Sequence, residues 1–284
     1  MYFGLNIQSI IARKKSNKTS NHSKISIKQL KEQMVEFGIN EGDTILVHSS
    51  FRHFKENAEE VVQFLKDFIG PSGNILMPTH PKLTKKDGYL FYDRESSPST
   101  VGYLTETFRK SNNVYRSKHP FSSIAAWGKD VEYLLKDNLT LNNPLPHGVN
   151  SPYYKMAKLN GKVLCIGVAA IRRGTIRHTA EEVLDDEYLV KNLFNNYKVI
   201  VRDKKDENIY KVRALNISKS QIFIAKSKIE KDWIKNGILK KSVIDNVEVE
   251  YMNAQKCVEF MIQEAKKGNT CYPYAPKRKL DKNV

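Results

Sequence analysis

The run Val163-Leu-Cys-Ile-Gly-Val-Ala-Ala-Ile171, followed after two arginines by Gly174-Thr-Ile-Arg-His-Thr-Ala-Glu-Glu182, decides how this chain folds. An uncharged run of that size has the length of a buried strand and falls far short of the roughly 20 residues a bilayer span needs. Gly174 and Thr175 then read as a turn and a helix start, with Thr175 as N-cap. A buried strand fed directly into a helix is the building unit of an α/β protein.

The same alternation extends to both sides. Upstream, Ser26 with Gln29 forms a capping box, and Ile27, Leu30, Met34 and Phe37 recur at helical spacing until Gly38. Thr44-Ile-Leu-Val47 follows as a strand. Asn57 with Glu60 caps a second helix carrying Val61, Val62, Leu65, Phe68 and Ile69, and Asn74-Ile-Leu-Met77 reads as the next strand. Helices are expected at 101–110, 129–137 and from Ser151-Pro152, the last with its proline in the first turn. Downstream, 197–201 and 209–213 flank a charged turn and predict a hairpin. Helices are expected at 222–235 and 258–267. The expectation is a mostly parallel central sheet with helices on both faces and a C-terminal hairpin and helix elaboration. One domain would run from 25 to 270 between basic segments at 1–24 and 271–284.

The 284 residues carry 47 Lys plus Arg against 31 Asp plus Glu, a formal charge of +16. Its location decides its meaning. Residues 1–31 hold seven basic residues and no acid, and 266–284 hold six against Asp281 alone, so the body is close to neutral. Basic ends could touch an anionic surface, but no basic stripe interleaved with aromatics runs through the body, which argues against a nucleic-acid partner. The charges after Met1–Ala12 follow its apolar part, the reverse of a secretory signal. Cys165, Cys257 and Cys271 are odd in number and far apart, matching neither a disulfide framework nor a zinc site. The reading is a cytoplasmic protein without a membrane span or a metal, with a homodimer left open.

No phosphate loop, dinucleotide fingerprint, HExxH or paired CxxC occurs. Four segments remain at the ends of strands, where α/β sheets place ligands. His48-Ser49-Ser50 offers hydroxyls and backbone N–H groups to a polar ligand such as a phosphate or amide, or simply ends a strand. Met77-Pro78-Thr79-His80-Pro81 stiffens Thr79 between prolines. Arg116-Ser117-Lys118-His119-Pro120-Phe121-Ser122-Ser123 supplies a guanidinium, an imidazole and hydroxyls. The fourth is sharpest. His178 and Glu181, at i and i+3, share a helix face, where a carboxylate can orient an imidazole that accepts a proton; a surface His–Glu pair is the alternative.

With these segments in order, the sequence resembles the aminoglycoside 3-N-acetyltransferase family. The matching strings are Gly42 to Ser50, Gly73 to Thr79, Ser97 to Gly102 with Glu106, Arg116 to Gly128, Ser151-Pro152 and Thr175 to Glu181. The resemblance implies an α/β/α fold and acetyl transfer from acetyl-CoA to an amine of an amino sugar, the chemistry of antibiotic resistance. It implies His178 as general base, Glu181 as its orienter and Thr79 near the reacting centre. His48, Ser49, Ser50, Arg116, Ser117, His119, Ser122 and Ser123 would line the acetyl-CoA site, with no metal. Arg172, Arg173 and Arg177 depart from the family pattern. They would repel a polycation, could bind phosphates, and would keep His178 neutral. A less cationic amino sugar, from a surface polysaccharide or natural product, is therefore an alternative acceptor. An acyl hydrolase and a non-catalytic member are the other readings.

Overall fold

The computed structural model describes residues 23–184, 194–216 and 226–267. In chain order the strands are β1 (Thr44–Ser49), β2 (Asn74–Pro78), β3 (Thr84–Lys86), β4 (Tyr89–Asp93), β5 (Tyr115–Arg116), β6 (Ile124–Gly128), β7 (Lys162–Ile166), β8 (Phe194–Asp203), β9 (Asp206–Leu215), β10 (Leu239–Ile244) and β11 (Val247–Asn253). They build a mixed α/β fold with a seven-stranded sheet in the order β10-β11-β7-β1-β2-β6-β5.

The three apolar runs legible in the sequence are its parallel centre. β1 pairs with β2 from Thr44↔Asn74 and with β7 through Ser49↔Ile166, both in parallel. Both flanks are antiparallel: β6 runs against β2, β5 against β6, β11 against β7 and β10 against β11. The sheet is therefore mixed where a mostly parallel one is expected. Antiparallel neighbours need no crossover helix, so β10 and β11 join through the two-residue turn Asp245-Asn246, both at positive φ.

Alternation along the central strands sorts their side chains into two cores. Leu46, Leu76, Val163 and Cys165 face one way, with Tyr153, Trp233 and Met261 from the helices Pro152–Lys158, Lys226–Lys235 and Ala254–Lys266. Ile45, Val47, Ile75, Met77, Leu164 and Ile166 face the other, with Leu30, Leu65 and Phe108 from the helices Ile27–Glu36, Ala58–Ile69 and Tyr103–Lys110. Each fully buried residue of this kind contributes about 1.5–3 kcal/mol relative to exposure. The capping boxes at Ser26/Gln29 and Asn57/Glu60 are both formed.

The hairpin expected near 197–213 is β8–β9. It belongs to a second sheet, β3-β4-β8-β9, in which β4 runs parallel to β8. Tyr92, Leu139, Val199, Val201 and Val212 form its own small core.

Three further boundaries differ from expectation. The run 163–171 splits into β7 and a short helix, Ala170–Arg173. The break is Gly167, at φ +65, where a Cβ would come within 2.4 Å of the His53 ring. Thr175 does not cap a helix: a 3-10 turn, Thr175–His178, follows Gly174 and leads into the helix Thr179–Leu184. The last helix starts at Ala254 because Asn253 accepts from the Lys256 N–H. The basic stretches 1–22 and 268–284 lie outside the described residues.

Candidate active site

Parallel strands point their C-terminal ends to one edge, so β1, β2 and β7 deliver three histidine-bearing segments to the same place. His48 is the fifth residue of β1, His80 lies two residues beyond β2, and His178 closes the 3-10 turn after β7. His48 Nε2 lies 3.5 Å from Thr175 Oγ1. A fourth imidazole enters from the loop before the helix Pro152–Lys158: His147, whose ring centroid is 5.3 Å from that of His178 and 5.1 Å from that of Tyr153.

Burial and neighbouring positive groups hold three of these imidazoles, His48, His80 and His178, below the ordinary histidine range. Burial chiefly, then His80 and Arg177, pushes His48 down to about 3. Burial chiefly, then His147 and Arg116, pushes His80 down to about 4. His178 is held well below its ordinary value by burial, then Arg177, His147 and His80. A neutral imidazole is the form that can accept a proton.

His147 is itself held by a carboxylate. Its Nδ1 donates to Glu182 Oε1 at 2.7 Å and its backbone N–H donates to Oε2 at 2.5 Å, with both side chains 1% exposed. The side chains of Glu181 and Arg173 lie outside those described. Asp185, Asp186 and Glu187 lie outside the described residues. Arg172 is exposed, whereas Arg177 is buried and donates to the Ile171 carbonyl.

The third segment is a buried wall beside the cluster. Arg116 Nε donates to Ser123 Oγ at 2.9 Å and to Thr79 Oγ1 at 3.2 Å, and its terminal nitrogens donate to the Ser97 and Thr79 carbonyls. Its guanidinium lies 5.2 Å from the Tyr92 ring, whose hydroxyl donates to the Ser117 carbonyl. Ser117 Oγ accepts from the Ile124 N–H. His119 places one ring nitrogen 2.7 Å from the Phe121 carbonyl and the other 2.9 Å from that of Pro144, fastening this loop to the one that carries His147. Ser122, at φ +55, accepts at its carbonyl from the Tyr153 hydroxyl at 3.0 Å. Thr79, Arg116, Ser117, His119 and Ser123 thus spend polar groups on internal bonds.

Beyond Ser49 and Ser50 a cavity of about 820 Å³ opens along the same edge, lined by Arg52, His53, Gly167, Arg172, Lys241 and Glu248 among others. Lys241 is tied to Glu230, Glu248 and Glu250, which leaves Arg52 and Arg172 as its outward cations.

Sequence reasoning missed His147, Glu182 and Tyr153. His147 sits in Pro146-His147-Gly148 with no periodicity to mark it. Its closeness to Ser151-Pro152 was the one available signal.

A family model of the aminoglycoside 3-N-acetyltransferases matches residues 46–265. The chain belongs to that family. Aminoglycoside N(3)-acetyltransferase IV of Salmonella sp is 34% identical to this family member over 154 residues, 52% of this chain and 56% of that one. The chain spans little more than half the length of such curated relatives. Two solved aminoglycoside acetyltransferases share the fold. One is AAC-IIIb with CoASH, with TM-score 0.71, 18% identity, and 86% of this chain and 97% of that one covered. The other is a histidine mutant of AAC(3)-IVa in complex with apramycin, with TM-score 0.69, 22% identity, and 88% of this chain and 96% of that one covered. At such identities the likeness is one of fold.

Proposed function

We propose that this protein is an acetyl-CoA-dependent N-acetyltransferase acting on an amine of an aminoglycoside or related amino sugar. The observation that carries the reading is His178, a neutral imidazole at the edge where β1, β2 and β7 end, beside His48 and His80. Family membership and a relative solved with CoASH support it.

Bound acetyl-CoA supplies an acetyl thioester that is already activated, so the protein's work is to align and deprotonate the amine. His178 takes the proton as the amine nitrogen forms its bond to the acetyl carbon. The carbon–sulfur bond breaks, and His178 returns the proton to the departing thiolate. Glu181, three residues beyond, is the proposed orienter. His48, Ser49 and Ser50 line the thioester arm, and Thr79 stands near the reacting carbon on a wall made rigid by Arg116, Ser117, His119, Ser122 and Ser123. Arg52 and Arg172 suit the phosphates of the same co-substrate.

Glu182 faces inward and Arg177 sits beside the base, which supports an acceptor less cationic than a full aminoglycoside. The buried thiol of Cys165 suits a reducing cytoplasm. No helix among the described residues is long and apolar enough to cross a membrane.

The test is CoA release from acetyl-CoA by wild type and His178→Ala, over aminoglycosides and simple amino sugars. Acceptor-dependent release that His178→Ala lowers by at least ~100-fold supports the reading. Release without an acceptor would make the protein a hydrolase, and failure to bind acetyl-CoA would refute the assignment.

A further inference from the structure

On the half of the β8–β9 hairpin remote from its turn, Lys198 stands directly opposite Lys211, and Asn196 opposite Arg213. Alternation along the strands puts all four on one face. Like charges in register across an antiparallel pair repel. The hairpin's acids, Asp203, Asp206 and Glu207, are gathered at its turn end, where Asp203 pairs with Arg94 and Lys118, and Glu207 with Lys86 and Arg202. Lys198, Lys211 and Arg213 enter no ion pair among the described residues. These three cations line a cavity of about 720 Å³ between the hairpin and the loop 141–145, with no acid among its described lining residues. Asn142, Asn143 and Asn196 add amides, and Tyr197 a half-buried ring. Arg213 is half-buried, and its backbone N–H donates to the Pro144 carbonyl at 2.9 Å, fixing strand to loop.

Both walls of this cavity continue into the site. The loop wall ends at Leu145, two residues before His147, whose ring centroid is 5.3 Å from that of His178. On the strand wall the Tyr197 ring centroid is 5.2 Å from that of Phe121, and the next residue, Ser122, accepts from the Tyr153 hydroxyl. The cavity that suits the phosphates of acetyl-CoA lies on another flank, beside Val247 and Glu248 of β11. Amides and an aromatic ring suit a sugar, and three cations without an acid suit one that carries negative charge. A phosphate monoester brings about two negative charges and three acceptor oxygens, where a lone carboxylate would leave the lysine pair half compensated. We propose that this cavity is an acceptor subsite, in which Lys198, Lys211 and Arg213 bind the phosphate of a phosphorylated amino sugar whose amine is presented to His178. The proposal rests on the acetyltransferase reading and narrows its acceptor class.

The experiment follows CoA release from acetyl-CoA by the full chain with glucosamine, glucosamine 1-phosphate, glucosamine 6-phosphate and apramycin. It compares wild type with Arg213→Gln and with the double variant Lys198→Gln/Lys211→Gln. Wild type is expected to show kcat/KM at least ~10-fold higher with a phosphorylated sugar than with glucosamine or apramycin. Each variant is expected to melt cooperatively and to cut that preference at least ~10-fold, chiefly by raising KM for the phosphorylated sugar, with KM for acetyl-CoA within about twofold. No such preference in wild type, or one that the variants retain, would overturn the proposal. A raised KM for acetyl-CoA in its place would also overturn it, because the cavity would then belong to the co-substrate. Should wild type release no CoA with any acceptor, the functional reading fails separately, and melting decides the phosphate site. A rise in Tm with the phosphorylated sugars that glucosamine does not give and the variants lose supports it, and equal Tm values overturn it.

Discussion

His48 sits in register with Cys165 across the parallel strands β1 and β7. That pairing places His48 on the face of Leu46, where its Nε2 reaches Thr175 Oγ1 at 3.5 Å. A slip of one residue would turn it to the opposite core. The position of an imidazole at this edge is thus set by the same register that buries Leu46, Val163 and Cys165.

That burial makes the fold sensitive to acid. Folded His48 titrates at about 3, and His80 and His119 at about 4. Unfolded histidine titrates near 6.5. Above that value neither state is charged and the full stability is present. As pH falls toward 4 only the unfolded chain gains protons, so stability is lost. Between pH 7 and 5.5 each group should cost on the order of 1 kcal/mol, and the three about 3–4 kcal/mol together. Urea denaturation at the two pH values checks this; equal stabilities would contradict it.

Arg116 has a scaffold role that can be separated from ligand binding. Replacing it by Met leaves the Thr79 and Ser97 carbonyls without their donors in a buried site. With about 1–3 kcal/mol for each unsatisfied group, Arg116→Met should lose at least about 2 kcal/mol of unfolding free energy. A chemical denaturation curve coincident with wild type would mean that water replaces the guanidinium.

The hinge between β7 and the site turn depends on Gly167. Alanine there meets both a left-handed φ of +65 and the His53 ring. A cost of about 1–3 kcal/mol is expected for Gly167→Ala, read as a lower denaturation midpoint at unchanged slope. A midpoint equal to wild type would show that His53 and the turn yield freely.

Tyr153 ties the helix Pro152–Lys158 to Ser122 through its hydroxyl and supports His147 with its ring. Tyr153→Phe keeps the ring and removes the bond, so stability should fall by about 1 kcal/mol. Tyr153→Ala removes both and should cost about 3–5 kcal/mol. Equal losses in the two variants would mean that the hydroxyl, and not the packing, carries the residue.

Much of the fold was legible because its signals are local. Ser26 and Gln29, Asn57 and Glu60, and Ser151 with Pro152 satisfy donors or fix φ within one turn, so their helices start where those residues stand. The strands Ile124–Gly128, Leu239–Ile244 and Val247–Asn253 were not read. Ile124-Ala-Ala-Trp-Gly128 is too short and small to show a period, and the β10–β11 hairpin alternates Lys and Glu with apolar residues on a flank. Four of the site's segments were legible for the same local reason, since three end or follow an apolar run and Arg116–Ser123 leads into Ile124-Ala-Ala.

The sequence by itself determined the capped helix starts at Ser26, Asn57 and Ser151, the three apolar strands at the centre and, through them, the edge to which His48, Thr79 and His178 are carried. Only the tertiary structure decided what those residues meet there. It turned Glu182 onto His147 across 35 residues, saturated Arg116 with carbonyls, and set both flanks antiparallel. Spacing along a chain specifies neighbours within a turn of helix or a pair of strand residues. Contacts between loops follow from how the sheet and its two cores pack, and no short stretch of sequence records that.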